Sequence, residues 1–157
     1  DLQMLPHEDV PLDALVADVV DQFRLLAESQ RIAIQVETVS ELMVKGDDIQ
    51  LSQLVFNLIE NAVKFTGPEG KITIKLQPAQ NHVRLTVTDT GIGIAQADLP
   101  QVFERFYRAD QSRSVRGGAG LGLAICRAIA QAHAGQIGIE STLGQGTCVW
   151  LELPIVA

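Results

Sequence analysis

Between Leu51 and Val63 the apolar residues Leu51, Leu54, Val55, Leu58, Ile59, Ala62 and Val63 recur at spacings of three and four, the pattern of a helix with one buried face. At about 100° per residue, Gln53, Asn57, Asn61 and Lys64 gather on a second stripe well away from that face. Asparagine is a poor residue inside a helix because its side chain competes for backbone hydrogen bonds, so two of them one turn apart need a reason. The plain reason is a polar face turned to solvent. The chemical one is that an amide oxygen is a neutral hard ligand suited to Mg2+, which prefers oxygen donors and keeps several waters when it sits on phosphates. Lys64 would then meet phosphate as a point charge.

Two glycine-containing segments fit the same chemistry. Val83 to Asp89 alternates as a strand and runs into Asp89-Thr90-Gly91-Ile92-Gly93. A carboxylate thus stands at a strand end beside two glycines, where backbone can approach a flat ligand closely. The same letters also make an ordinary turn, since Asp before Gly is a common turn former. Gly117-Gly118-Ala119-Gly120-Leu121-Gly122 leads directly into another helical pattern. Its free N–H groups and the positive end of the helix dipole can hold an anion; a flexible hinge is the plainer alternative. No Gly-Lys-Ser/Thr follows, so this is not a Walker A loop, and Leu123 stands where GxGxxG needs its third glycine. Just ahead, Arg105, Arg108, Arg113 and Arg116 concentrate four of the chain's 12 basic residues, and a local anion site is expected there.

The elements that must position these residues follow from composition and period. A chain of 157 residues, 46% hydrophobic and 20% charged, suits one domain with one core. With aromatics at 4%, that core is aliphatic, as expected for helices packed on a sheet. A net charge of -7 repels nucleic-acid phosphate and anionic headgroups, which argues against a nucleic-acid partner. No apolar run approaches the roughly 18 residues of a membrane span, and residues 1–10 have neither a basic nor an apolar leader pattern. Cys126 and Cys148 lack a CxxC spacing and are expected to be buried, reduced thiols.

Residues 1–10 show no sustained period and read as a lead-in, with the domain proper at 11–157. Leu12, Leu15, Val16, Val19, Val20, Phe23, Leu26 and Ala27 give a first helix opened by Pro11. Ile32, Ile34 and Val36 mark a strand, with Leu42 to Val44 as a short partner. After Gly67, Pro68 and Gly70 end the second helix, Ile72 to Leu76 and Val83 to Val87 form a hairpin at the centre of a sheet. A short helix is expected around Gln96 to Phe106, followed by an aperiodic, mobile Arg- and Ser-rich segment. Leu121, Ile125, Ala128, Ile129 and Ala132 mark a third helix that ends before Gly135. Ile137 and Ile139, then Val149, Leu151 and Leu153, make a last hairpin around Leu143 to Gly146, with Cys148 and Trp150 on its opposite side.

Four segments, in order, resemble the N, G1, F and G2 boxes of sensor histidine kinases: Asn57-Leu-Ile-Glu60-Asn61-Ala-Val-Lys64-Phe65, Asp89-Thr-Gly91-Ile-Gly93, Phe103-Glu-Arg-Phe106 and Gly118-Ala-Gly120-Leu121-Gly122-Leu123. Gly144-Gln-Gly146-Thr147 is similar to the further glycine box that follows. The resemblance covers nearly the whole chain and implies the GHKL fold: a two-layer α/β sandwich, a mixed sheet of about five strands on the main helices, and ATP under a mobile lid. By residue, it implies that Asp89 accepts a hydrogen bond from the adenine amino group while Gly91 and Gly93 admit the ring. Asn61 would hold Mg2+ through its side-chain oxygen, with Asn57 and Lys64 on the phosphates and Phe65 along the nucleotide. Gly118, Gly120, Leu121, Gly122 and Leu123 would form the phosphate loop, and Thr147 would add a hydroxyl contact. Arg108 and Arg116 would reach the γ-phosphate, with Arg113 as a substitute for Arg116. Ala119 stands where the family often has Gln or Thr, so that side-chain contact is lost.

The resemblance also separates mechanisms. A related class hydrolyses ATP with a Glu one turn before the Mg-binding Asn, and that position here is Asn57. An uncharged amide cannot serve as general base, which favours phosphotransfer over hydrolysis; Glu60 points about 100° off the stripe. The family's phosphoacceptor histidine sits in a His-Glu/Asp-x-x-x-Pro setting that His7, His82 and His133 all lack. For His7-Glu8 the Pro would have to fall at Leu12, and Pro11 is one residue early. All three read as surface histidines. The implied activity is that of an ATP-dependent protein-histidine kinase, acting on a histidine of a separate helical-hairpin domain of the same protein for relay to a response regulator. The implied setting is a cytoplasmic, monomeric piece of a membrane-anchored parent, without direct membrane contact of its own. The runner-up is a non-catalytic nucleotide-sensing or docking module of the same fold. A serine-directed kinase is disfavoured by Asn57 and the GxGLGL form.

Overall fold

The computed structural model describes residues 8–39, 41–104 and 122–156. Strand β1 (Glu8–Pro11) leads into helix α1 (Leu12–Ser29). No side chain caps α1; instead the Leu12 N–H donates to the Leu42 carbonyl at 2.9 Å, while Asp13 Oδ1 accepts from the Leu42 N–H at 3.2 Å. The predicted apolar face is buried except at Leu26, which is exposed. Residues 8–10, within the expected lead-in, are extended and pair with the domain. β1 runs antiparallel to β3 (Met43–Gly46), with Val10 opposite Val44 and both side chains buried. The expected partner of the 42–44 segment was therefore wrong, for β3 pairs with β1 and not with β2 (Ala33–Thr38).

Helix α2 (Asp48–Thr66) starts as its sequence requires, with Asp47 Oδ1 accepting from the Gln50 N–H at 2.9 Å. It carries the chain across to β4 (Lys71–Ala79), which lies parallel to β2. Such a parallel pair needs a crossover connection. β4 then forms an antiparallel hairpin with β5 (His82–Asp89), and the five-stranded sheet is completed by β7 (Gly146–Pro154) and β6 (Gln136–Thr142), in the order β2-β4-β5-β7-β6. The sheet is mixed, and its helix-facing side is the core. Ile74, Val87 and Val149 lie side by side across three strands, all buried against the apolar faces of α1, α2 and α3 (Gly122–Ala132). Trp150 lies on the other side, as expected, with the Arg84 guanidinium 4.7 Å over its ring and Glu152 bound to Arg84 at 2.6 Å.

Three expectations fail locally. The helix expected over 96–106 is a run of turns with one 3-10 turn at Leu99–Gln101, and Arg105 and Phe106 lie outside the described residues. Cys126 is buried but Cys148 is half-exposed on the outer side of the sheet. His133 is no surface residue: 7% exposed, it accepts the Asp47 N–H at Nε2 (3.1 Å) while Nδ1 lies 2.8 Å from the Ile129 carbonyl. A carbonyl only accepts, so the ring proton sits on Nδ1 and joins the end of α3 to the start of α2. His82 is half-buried, and His7 lies outside the described residues.

Candidate functional site

Asp89 ends β5 between Ile72 on one neighbouring strand and Thr147 on the other. Its carboxylate is 8% exposed, and burial pushes it above the usual carboxylate range against the pull of backbone hydrogen bonds from Gly91 and Thr147. The Gly91 bond to Oδ1 is 2.8 Å long. A carboxylate has about four acceptor sites, so two N–H donors leave capacity for a further one. A buried acidic group with spare acceptors, kept at a strand end against its desolvation cost, suits a ligand that brings a donor.

The glycines after Asp89 are required by the protein itself. A Cβ on Gly91 would collide with the Phe65 carbonyl, which also receives the Ile92 N–H at 3.2 Å. Gly93 has φ +71°, and a Cβ there would collide with the Thr142 carbonyl. The Gly144 N–H closes the seam onto the Ile92 carbonyl at 2.7 Å. The loop after β5 is thereby seated between the end of α2 and the β6–β7 turn.

Sequence reasoning missed the residue that holds this seam. Ser141, 9% exposed, accepts the Ile94 N–H at 2.7 Å, donates to the Gly146 carbonyl at 2.9 Å and lies 2.7 Å from the Thr147 hydroxyl. The Gln96 side-chain amide donates to the Ser141 carbonyl at 2.8 Å. One signal was present: Ile137 and Ile139 alternate inward along β6, and Ser141 continues that phase as a polar residue where an apolar one is expected.

On α2 the amide stripe is neither solvent face nor open cleft throughout. Gln53 is exposed, whereas Asn57, Asn61, Lys64 and Phe65 are half-buried. The Asn57 side chain hydrogen-bonds Cys126 of α3, whose thiol also reaches the Leu54 carbonyl at 3.6 Å. Burial pushes the Cys126 thiol up to about 12, with the Asn57 bond opposing. One turn along, a Cβ placed on Gly122 would lie 3.8 Å from Asn61 Oδ1. Asn57 thus meets Cys126 and Asn61 meets Gly122. The two helices therefore run antiparallel, and the first turn of α3 stands over Asn61. Leu123 is half-buried against the hydrophobic core.

The structure therefore brings Asp89, Gly91, Gly93 and Thr147 together at one end, and Asn57, Asn61 and Gly122 at the other. Phe65, one turn beyond Asn61 on α2, reaches the first group through its backbone contact with the loop. Arg108, Arg113, Arg116, Gly118, Ala119, Gly120 and Leu121 lie outside the described residues. Among the described residues there is no His, Cys, Asp and Glu group able to hold a metal.

A two-layer sandwich with a buried strand-end carboxylate and paired helix amides beside a glycine-led helix defines a class, the GHKL ATPases and kinases. The family model described as histidine kinase-, DNA gyrase B- and HSP90-like ATPase matches residues 46–157, and the chain belongs to that family. It is 41% identical over 146 residues, 92% of its length, to sensor histidine kinase RppB of a Synechocystis species, of which it spans 32%. Among solved structures it superposes on the mycobacterial sensor histidine kinase MprB with a TM-score of 0.86 and 29% identity, covering 94% of this chain and 98% of that one. It superposes on full-length ShkA, solved with AMPPNP, with a TM-score of 0.84 and 31% identity, covering 98% of this chain and 32% of that one.

Proposed function

We propose that the chain is the ATP-binding catalytic domain of a sensor histidine kinase, passing the γ-phosphoryl group of Mg-ATP to a histidine on a separate helical-hairpin domain for relay to a response regulator. The observation that carries this is the Asp89 carboxylate, buried at 8% exposure with acceptor capacity unused. It takes the adenine amino group as donor, and Thr147 stands across the strand pair from it. The phosphates extend toward α2 and the first turn of α3, where Lys64, Asn57 and the glycines at 118, 120 and 122 meet them, with Leu121 and Leu123 flanking and Phe65 along the nucleotide.

Asn61 suits Mg2+ on two counts: its amide offers a neutral oxygen, and the residue opposite is a glycine that puts no side chain in the way. When bound, the ion neutralises charge on the β- and γ-phosphates. Positioning and charge stabilisation then do most of the catalysis, with Arg108 and Arg116, or Arg113, on the γ-phosphate. Asn57 has no proton-accepting carboxylate and is already bonded to Cys126, so water is not activated from that position.

Residues ahead of 11 lead in from the phosphoacceptor domain, and the dimer contacts belong to that domain, leaving this piece monomeric. Among the described residues no helix is long and apolar enough to cross a membrane; the parent is membrane-anchored with this domain on the cytoplasmic side. The test is transfer from γ-labelled ATP to a supplied helical-hairpin domain, giving acid-labile phosphohistidine. Nucleotide binding without transfer would favour a sensing or docking module. Robust hydrolysis that survives Asn57→Ala would contradict the proposal.

A further inference from the structure

Ser141 has more polar neighbours than its one proton can serve, and that shortage fixes the direction of each bond. A serine hydroxyl has one proton and two lone pairs. The Ile94 N–H can only donate, so it takes one lone pair at 2.7 Å. The Gly146 carbonyl can only accept, so it takes the proton at 2.9 Å. What remains for the Thr147 hydroxyl at 2.7 Å is the second lone pair, and the Thr147 proton must point at Ser141. Turning the Ser141 proton to Thr147 would deprive the Gly146 carbonyl of this donor.

Thr147 lies directly across the β5–β7 pair from Asp89, on the same inward side of the sheet, where facing Cβ atoms stand about 4.5 to 5.5 Å apart. We infer that Ser141 is a specificity-determining positioning residue: by holding the proton of Thr147, it leaves that hydroxyl oxygen an acceptor only, beside the Asp89 carboxylate. Two neighbouring acceptors admit a ring edge that carries an exocyclic amino group and reject one that carries a carbonyl there. The ligand class is a 6-aminopurine nucleotide, discriminated from its 6-oxo counterpart. The inference rests on the nucleotide reading above and assigns part of its base selectivity to a side chain that makes no ligand contact of its own.

The experiment is calorimetric titration of ATP and of inosine triphosphate into wild type, Ser141→Ala, Ser141→Thr, Thr147→Val and the Ser141→Ala/Thr147→Val pair, with Asp89→Ala as reference. Wild type prefers ATP. Ser141→Ala frees the Thr147 proton to turn toward a 6-oxo group and narrows the preference by about three- to tenfold, the scale of one neutral hydrogen bond; Ser141→Thr keeps the hydroxyl and restores it. Thr147→Val, which leaves the Ser141 bonds to Ile94 and Gly146 in place, gives a comparable narrowing, and in that background Ser141→Ala changes the ratio no further. Equal weakening of both nucleotides by Ser141→Ala, or an unchanged ratio while wild type binds ATP in an Asp89-dependent way, overturns this inference alone. Failure of wild type to bind ATP brings down the nucleotide reading and this inference with it.

Discussion

Replacing Asp89 by Asn separates binding from folding. The carboxyl is held above its ordinary 3.8 because burial outweighs the backbone bonds from Gly91 and Thr147. A raised folded-state value means that the stability Asp89 contributes is fully present below its unfolded-state value and is lost as pH rises through its folded-state value. At neutral pH the ionised group is thus a cost to the fold, kept for another purpose. Asn has the same shape and retains an oxygen to accept the Gly91 N–H, which lies 2.8 Å from Oδ1. Its amide then brings N–H donors to the place where, on the proposed reading, the adenine amino group also brings donors. The loss is one hydrogen bond to a charged acceptor, about 1.5 to 3 kcal/mol, or roughly 10- to 150-fold in Kd. Calorimetry with Mg-ATP and thermal melts on the same preparations, taken between pH 4 and 8, read both effects. Wild type should bind ATP more weakly as pH falls through the raised Asp89 value, and Asp89→Asn should flatten that dependence without lowering the neutral-pH Tm. An Asp89→Asn domain that binds ATP as tightly as wild type, or that melts well below it at pH 7, would refute the reasoning.

With the Cys126 thiol buried and pushed up to about 12, only the half-exposed Cys148 should react with a disulfide reagent at pH 8 in the native domain, and both should react in guanidinium; native labelling of a Cys148→Ser variant would contradict this. Gly122→Ala meets Asn61 at an ordinary 3.8 Å contact and gains about 0.5 to 1 kcal/mol of helix preference, so Tm should rise while Mg-ATP affinity falls. Gly138→Val would drive a side chain into the Trp150 ring and disturb its stack with Arg84, costing about 1 to 3 kcal/mol. Tryptophan fluorescence should report it, and ATP affinity should stay the same because this side of the sheet is remote from Asp89.

Local periodicity made the helices legible. On α1 and α2 almost every apolar residue at a three-four spacing is buried, since one stripe of a helix must meet the core. Pairing between distant strands was not legible, because nothing local says that β3 joins β1 or that β2 runs parallel to β4. The site shows the same division. Asp89 and its glycines announce themselves as a motif, but the motif does not say that Gly91 and Gly93 are there to let the loop lie on the Phe65 and Thr142 carbonyls. His133 reads as a surface residue until Gly46, which has no side chain, is seen to make room for its ring. Ser141 reads as a lapse in alternation until the loop at 91–96 folds over it and supplies the Ile94 N–H.

The amide stripe carries the furthest consequence of that folding. Read alone, Asn57 and Asn61 are equivalent, one turn apart on one face of α2. The packing of α3 makes them unequal: the antiparallel register sets Cys126 against Asn57 and Gly122 against Asn61. The first amide is tied into a buried contact with a thiol that also reaches the Leu54 carbonyl, and so helps dock α3 on α2. The second faces a residue with no side chain, at the turn where the glycine-rich segment enters the helix. An anion held at Gly122 and an ion held by Asn61 would therefore sit side by side, placed by contacts a turn deeper in the protein. Phosphate geometry at this site should then depend on α2–α3 packing as much as on the glycine loop itself, and substitutions that loosen Cys126 should weaken Mg-ATP binding although Cys126 lies behind Asn57 and is fully buried.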